Sequence, residues 1–154
     1  MRRLLNILAA LSTIALVTFA SGADQRDDVV RLYLDFASAQ NARDLIAVRR
    51  LLSDSPDFLW VSDGKPVWGA DATVERMSTF QKSEVWRVTP ALSRARAVRL
   101  SEDVAFLHLP LILEIGTQEK TDRLPFLVGM VARRMPEGWR ISALFTTNDK
   151  SNPE

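Results

Sequence analysis

The chain has 154 residues, with 20 lysines and arginines against 19 aspartates and glutamates, one histidine and no cysteine. That length suits a single domain. The balanced charge argues against a nucleic-acid partner, whose binding surfaces carry a clear basic excess. The missing cysteine excludes disulfides, thiolate metal sites and thiol nucleophiles.

Met1-Arg2-Arg3, the apolar run Leu4 to Phe19 and the small residues Ala20 to Ala23 have the layout of a secretory signal peptide. Cleavage is expected after Ala23, with Ala20 as the alternative site. Residues 1–23 are then a leader, 24–147 the folded domain and 148–154 a disordered tail. The apolar run falls short of the ~20 residues a bilayer span needs. The mature protein is therefore expected to be exported, periplasmic or secreted, with no membrane attachment after cleavage. Without the leader, 18 basic residues face 19 acidic ones.

From Asp27 the spacing of Val29, Leu32, Tyr33, Phe36 and Gln40 predicts a helix. Asn41 reads as the N-cap of a second one, burying Leu45, Val48, Leu51 and Leu52. Pro56 ends that segment. Phe58 to Ser62 alternates as a strand, Asp63-Gly64 is a two-residue hairpin signal, and Val67-Trp68 is the return strand. Gly69 to Gln81 follows as a third helix. Four long strands are then expected at 84–100, 104–115, 124–135 and 139–147. Pro90, Pro110 and Pro125 are tolerated in strands only at bulges or edges, which suits a curved sheet. The pattern predicts an α+β domain, its helices covering one face of an antiparallel meander.

The order of elements resembles the cone-shaped fold of the nuclear transport factor 2-like (NTF2-like) superfamily, which includes ketosteroid isomerases and SnoaL-like cyclases. The markers are Phe36-Ala-Ser-Ala-Gln-Asn-Ala-Arg-Asp44 between the first helices, Asp63-Gly-Lys-Pro-Val-Trp-Gly69 before the third, and Gly138-Trp-Arg-Ile141 in the last strand. The resemblance implies a cone-like curved antiparallel sheet wrapped around three N-terminal helices. Isomerase-like members use a tyrosine on the first helix, an aspartate at the end of the first strand and a protonated acid on a later strand. The matching positions hold Phe36 (with Tyr33 one turn earlier), Ser62 or Asp63, and Val128, so that apparatus is mostly missing. Phe106, His108, Ile112 and Phe145 match positions that face the pocket in such members, and their parity along the strands agrees. Trp60 and Met130 are expected beside them.

These residues describe an apolar cup with one imidazole inside. The leading expectation is an exported domain that binds a small apolar molecule without catalysis and pairs through its sheet as a homodimer. The motive for pairing is the face Leu107, Leu109, Leu111, Leu113 and Ile115, which the helices would leave bare if they cover the His108 face. One alternative is an isomerase, dehydratase or cyclase in which His108 moves protons, assisted by Tyr33 or Asp63. Another is an envelope interaction module whose cup is filled by its own side chains. Glu114 is expected to pair across the sheet with Arg133 or Arg134. No cofactor is expected, and no metal, since one histidine and no cysteine offer no ligand set.

Overall fold

The computed structural model describes residues 22–151; the leader expected over 1–23 lies almost wholly outside them. Three helices come first in the chain, interrupted by one hairpin. They are α1 (Gly22–Asn41), α2 (Leu45–Leu51) and α3 (Ala70–Phe80), with β1 (Leu59–Ser62) and β2 (Lys65–Trp68) between the last two. Then come β3 (Val85–Pro90), β4 (Arg96–Arg99), β5 (Val104–Gly116), β6 (Thr121–Met135) and β7 (Gly138–Asn148). The sheet runs β2-β1-β7-β6-β5-β3, with β4 sharing the β3 edge of β5. It is curved and unclosed, and the helices lie in its concave side. Asp63 and Gly64 both have positive φ, 52° and 68°, as a tight two-residue hairpin turn requires.

Three local features differ from expectation. The sheet is mixed rather than wholly antiparallel, because β1 runs parallel to β7. The strand expected over 84–100 is two strands, separated by a 3₁₀ turn at Leu92–Arg94. The second helix is capped by Asp44, whose carboxylate accepts from the Ala47 N–H at 2.9 Å, not by Asn41, which ends α1. At the other end of the chain, Asn148 still belongs to β7, and Asp149 is buried with its N–H donating to the Pro125 carbonyl at 2.8 Å. The loose tail therefore cannot begin at 148.

The prolines sit where the ladder needs no donor from them. Pro110 accepts from the Ala91 N–H through its carbonyl, so its ring nitrogen faces the gap between β3 and β4. Pro90 shares the parity of Val88, whose backbone points away from β5 toward the Asn41 side chain. Neither proline therefore breaks a strand-to-strand bond.

The core fixes which face of the sheet is covered. Leu107, Leu109 and Leu111 of β5 are buried together with Val128, Met130 and Ala132 of β6. They pack in one cluster with Val29, Leu32, Tyr33 and Phe36 of α1. The leucine face expected to lie bare and to drive dimerisation is therefore the face under the helices. Phe106, His108 and Ile112 alternate with it and project from the convex side, partly exposed. Glu114 shares that convex side, where Arg123 at 3.3 Å and Arg87 at 3.9 Å flank it rather than Arg133 or Arg134.

A bulge accounts for Phe145. Val131 pairs with Ala143 and Ala132 with Ile141, so Ser142 is an extra residue that inverts the parity of β7. Before it, Trp139 and Ile141 point inward; after it, Leu144 and Thr146 do, and Phe145 turns outward at 42% exposure.

Candidate functional site

The helices fill only part of the cup. Beyond Phe36 a cavity of about 660 Å³ remains open. Its walls come from every layer of the fold: Tyr33, Phe36 and Gln40 from α1, Trp60 and Ser62 from β1, and Arg76, Met77 and Phe80 from α3. Trp86 and Val88 of β3, Leu111, Leu113 and Ile115 of β5, Phe126 of β6 and Leu144 of β7 complete the interior. The i, i+3, i+7 spacing that made α1 legible as a helix is what brings Tyr33, Phe36 and Gln40 onto one wall.

Aromatic rings form much of the wall. The Tyr33 and Phe36 rings lie 5.9 Å apart, tilted at 54°. Trp60 and Phe80 meet edge to face at 6.4 Å and 80°, a geometry that aromatic quadrupoles favour. The Trp60 indole N–H donates to the Thr146 hydroxyl at 3.3 Å, which holds that ring in the wall.

Three polar groups in this lining have no protein partner among the described residues. Of these only the Trp86 indole N–H is itself fully buried; the Tyr33 hydroxyl and the Gln40 side-chain amide belong to residues 2% and 6% exposed and make no hydrogen bond to another described residue. A buried polar group without a partner costs about 1–3 kcal/mol, so such groups call for an occupant or ordered water. Burial pushes the Tyr33 phenol well above its ordinary range, so it stays a neutral donor at any physiological pH.

Charge is confined to the rim, where Asp63, Lys65 and Lys150 are exposed and Arg76 is half-buried. The Arg76 guanidinium lies 5.1 Å from the Trp60 ring centroid and 5.9 Å from that of Phe80, and donates to the Ser62 carbonyl at 3.4 Å.

Set against the sequence, the cavity gathers Tyr33, Phe36, Trp60, Ser62 and Asp63. Val128 and Met130 are on the concave side but fully buried in the packed core, below the open part. Phe106, Ile112 and Phe145 are on the other side of the sheet. So is His108, in register between Arg96 of β4 and Gly129 of β6. His108 therefore does not line this cavity. Gln40, Arg76 and Phe126 are cavity residues that the sequence does not single out. Gln40 left a trace, as the one amide in the apolar stripe of α1.

The interior offers hydrogen-bond donors and aromatic faces but, among the described residues, no carboxylate or imidazole to act as a base. No group of histidines and acids able to hold a metal occurs among the described residues.

Comparison with known proteins agrees with the architecture. A family model describing a SnoaL-like domain matches residues 29–144. No curated protein sequence matches the chain. Among solved structures, a provisionally assigned dehydratase of the NTF2-like family from Streptomyces avermitilis superposes with a TM-score of 0.74 at 14% identity, over 84% of this chain and 99% of its own. A provisionally assigned aromatic ring hydroxylase from Novosphingobium aromaticivorans gives 0.74 and 14%, over 84% and 92%. An uncharacterised protein with a cystatin-like fold from Caulobacter vibrioides gives 0.69 and 20%, over 82% and 89%. At such identities these likenesses speak for the fold alone. With three helices in a curved, open seven-stranded sheet and a family match over most of its length, the chain belongs to the SnoaL-like domain family of the NTF2-like fold.

Proposed function

We propose that this is an exported binding domain that takes up a small, largely apolar molecule in the cup and does not transform it. The observation that carries the reading is the pairing of an open aromatic cavity with the buried, partnerless Trp86 indole N–H in its wall, beside Tyr33 and Gln40. Pockets for small ligands have this character, with apolar walls and a few placed polar groups. The absence of a base among the described interior residues supports binding over the dehydratase, isomerase or cyclase alternatives. Export rests on the leader-like sequence of residues 1–23.

The test is a titration with the neutral fluorophore N-phenyl-1-naphthylamine, read by the probe's own emission. Saturable enhancement is expected with the natural chain. Leu113→Trp, which adds bulk to the cavity wall from β5, should abolish the enhancement while leaving the circular dichroism spectrum intact. Enhancement that survives in this variant would place the probe elsewhere and remove the support for the reading.

We also infer that the domain pairs with a second copy through the convex side of the sheet. Phe106, Ile112, Val131 and Phe145 are all at least partly exposed on that side, with His108 among them. A contiguous apolar area of this kind on a soluble protein marks an interaction surface. Phe145→Glu should convert a dimer into a monomer in sedimentation velocity at micromolar concentration, without lowering the melting temperature of the monomer. A natural chain that sediments as a monomer would end this idea.

A further inference from the structure

We infer that the occupant of the cavity is an amphipathic carboxylate, its flat or chain-like apolar body inside and its carboxylate at the rim on Arg76. This deepens the binding reading above and rests on it. The rim holds three cations, Lys65, Arg76 and Lys150, against one acid, Asp63. None of the three cations has an ion-pair partner among the described residues, although the chain has nearly as many acids as bases. Arg76 stands out because it is half-buried. Arg49, with a comparably covered side chain, is engaged by two carboxylates, Asp54 and Asp71. Arg76 instead lies over two aromatic rings and reaches only a backbone carbonyl.

These two contacts hold the guanidinium at the border between the apolar wall and the rim, leaving donors to spare. A planar fork held in this way matches the two oxygens of a carboxylate. Asp63 on the same rim disfavours a dianion such as a phosphate monoester, and the aromatic floor requires an apolar body. Tyr33, Gln40 and Trp86 then remain to receive a single oxygen function deeper in the ligand.

The test compares 1-pyrenebutyric acid with 1-pyrenebutanol, which share a flat body and differ in the charged end. The acid should bind at least about tenfold more tightly at low salt, as one well-placed charge-assisted bond allows. Arg76→Gln should bring the ratio of the two affinities close to one, and Arg76→Lys should restore part of it. If the Gln variant does not fold, salt decides with the natural chain: the acid's affinity should fall with ionic strength and the alcohol's should not. Equal binding of acid and alcohol, or equal salt dependence, overturns the inference while the apolar pocket stands. Failure of both probes to bind overturns the two together.

Discussion

Leu107→Ala is expected to destabilise the domain by about 2–5 kcal/mol, whereas His108→Ala, the next residue, should cost less than about 1 kcal/mol. Leu107 is fully buried in the core cluster that β5 forms with α1, in register with Met130 of β6. Its truncation removes apolar area and leaves a void that neighbours fixed in a sheet cannot fill. The side chain of His108 is partly exposed on the convex side and makes no hydrogen bond among the described residues. The contrast should appear as a melting-temperature loss of roughly 10 °C or more for the leucine and little for the histidine. Urea titrations below micromolar concentration keep association through the convex side out of the comparison. The opposite ordering would mean that the sheet presents its other face to the helices, and the cavity described above would go with it.

That ordering is also where the sequence was misleading. Turn chemistry and periodicity are local, so the hairpin at Asp63-Gly64, the extents of α3 and β5–β7, and the family resemblance were all legible. Which face of β5 meets the helices is a long-range choice between two apolar faces, Leu107-Leu109-Leu111 and Phe106-His108-Ile112, and alternation alone cannot make it. Glu114 could have settled it. It has the parity of His108, and a carboxylate in a nearly apolar strand belongs where water and arginines reach it, as Arg87 and Arg123 do. Phe145 was misplaced for a different reason: the bulge at Ser142 inverts the alternation of β7, and no turn or glycine signal in Ile141-Ser-Ala-Leu144 announces it. Tyr33, Phe36 and Gln40 share one wall because helical spacing puts them on one face of α1.

Asn41→Ala should cost about 2–3 kcal/mol and weaken ligand binding as well, although Asn41 does not line the cavity. Its amide nitrogen donates to the Val88 carbonyl at 2.8 Å and its amide oxygen accepts from the Val88 N–H at 2.7 Å. The side chain so takes the place of a neighbouring strand along the free edge of β3. Without it both backbone groups of a buried residue lose their partners on the protein. Asn41 follows Gln40 directly, while Trp86 and Val88 are cavity residues of β3, so this one pair of bonds sets the distance between two walls of the cup. Arg43 reinforces the same junction by donating to the carbonyls of Gln81, Ser83 and Glu84. Asn41→Asp is the sharper variant. It keeps an acceptor for the Val88 N–H but sets a carboxylate oxygen against the Val88 carbonyl, and it should be no better than alanine. Hydrogen exchange at the Val88 amide would report the loss directly, faster in both variants. If Asn41→Ala costs under about 0.5 kcal/mol and leaves probe affinity unchanged, the edge of β3 is held by its packing on α1, and the wall of the cup does not depend on this clamp.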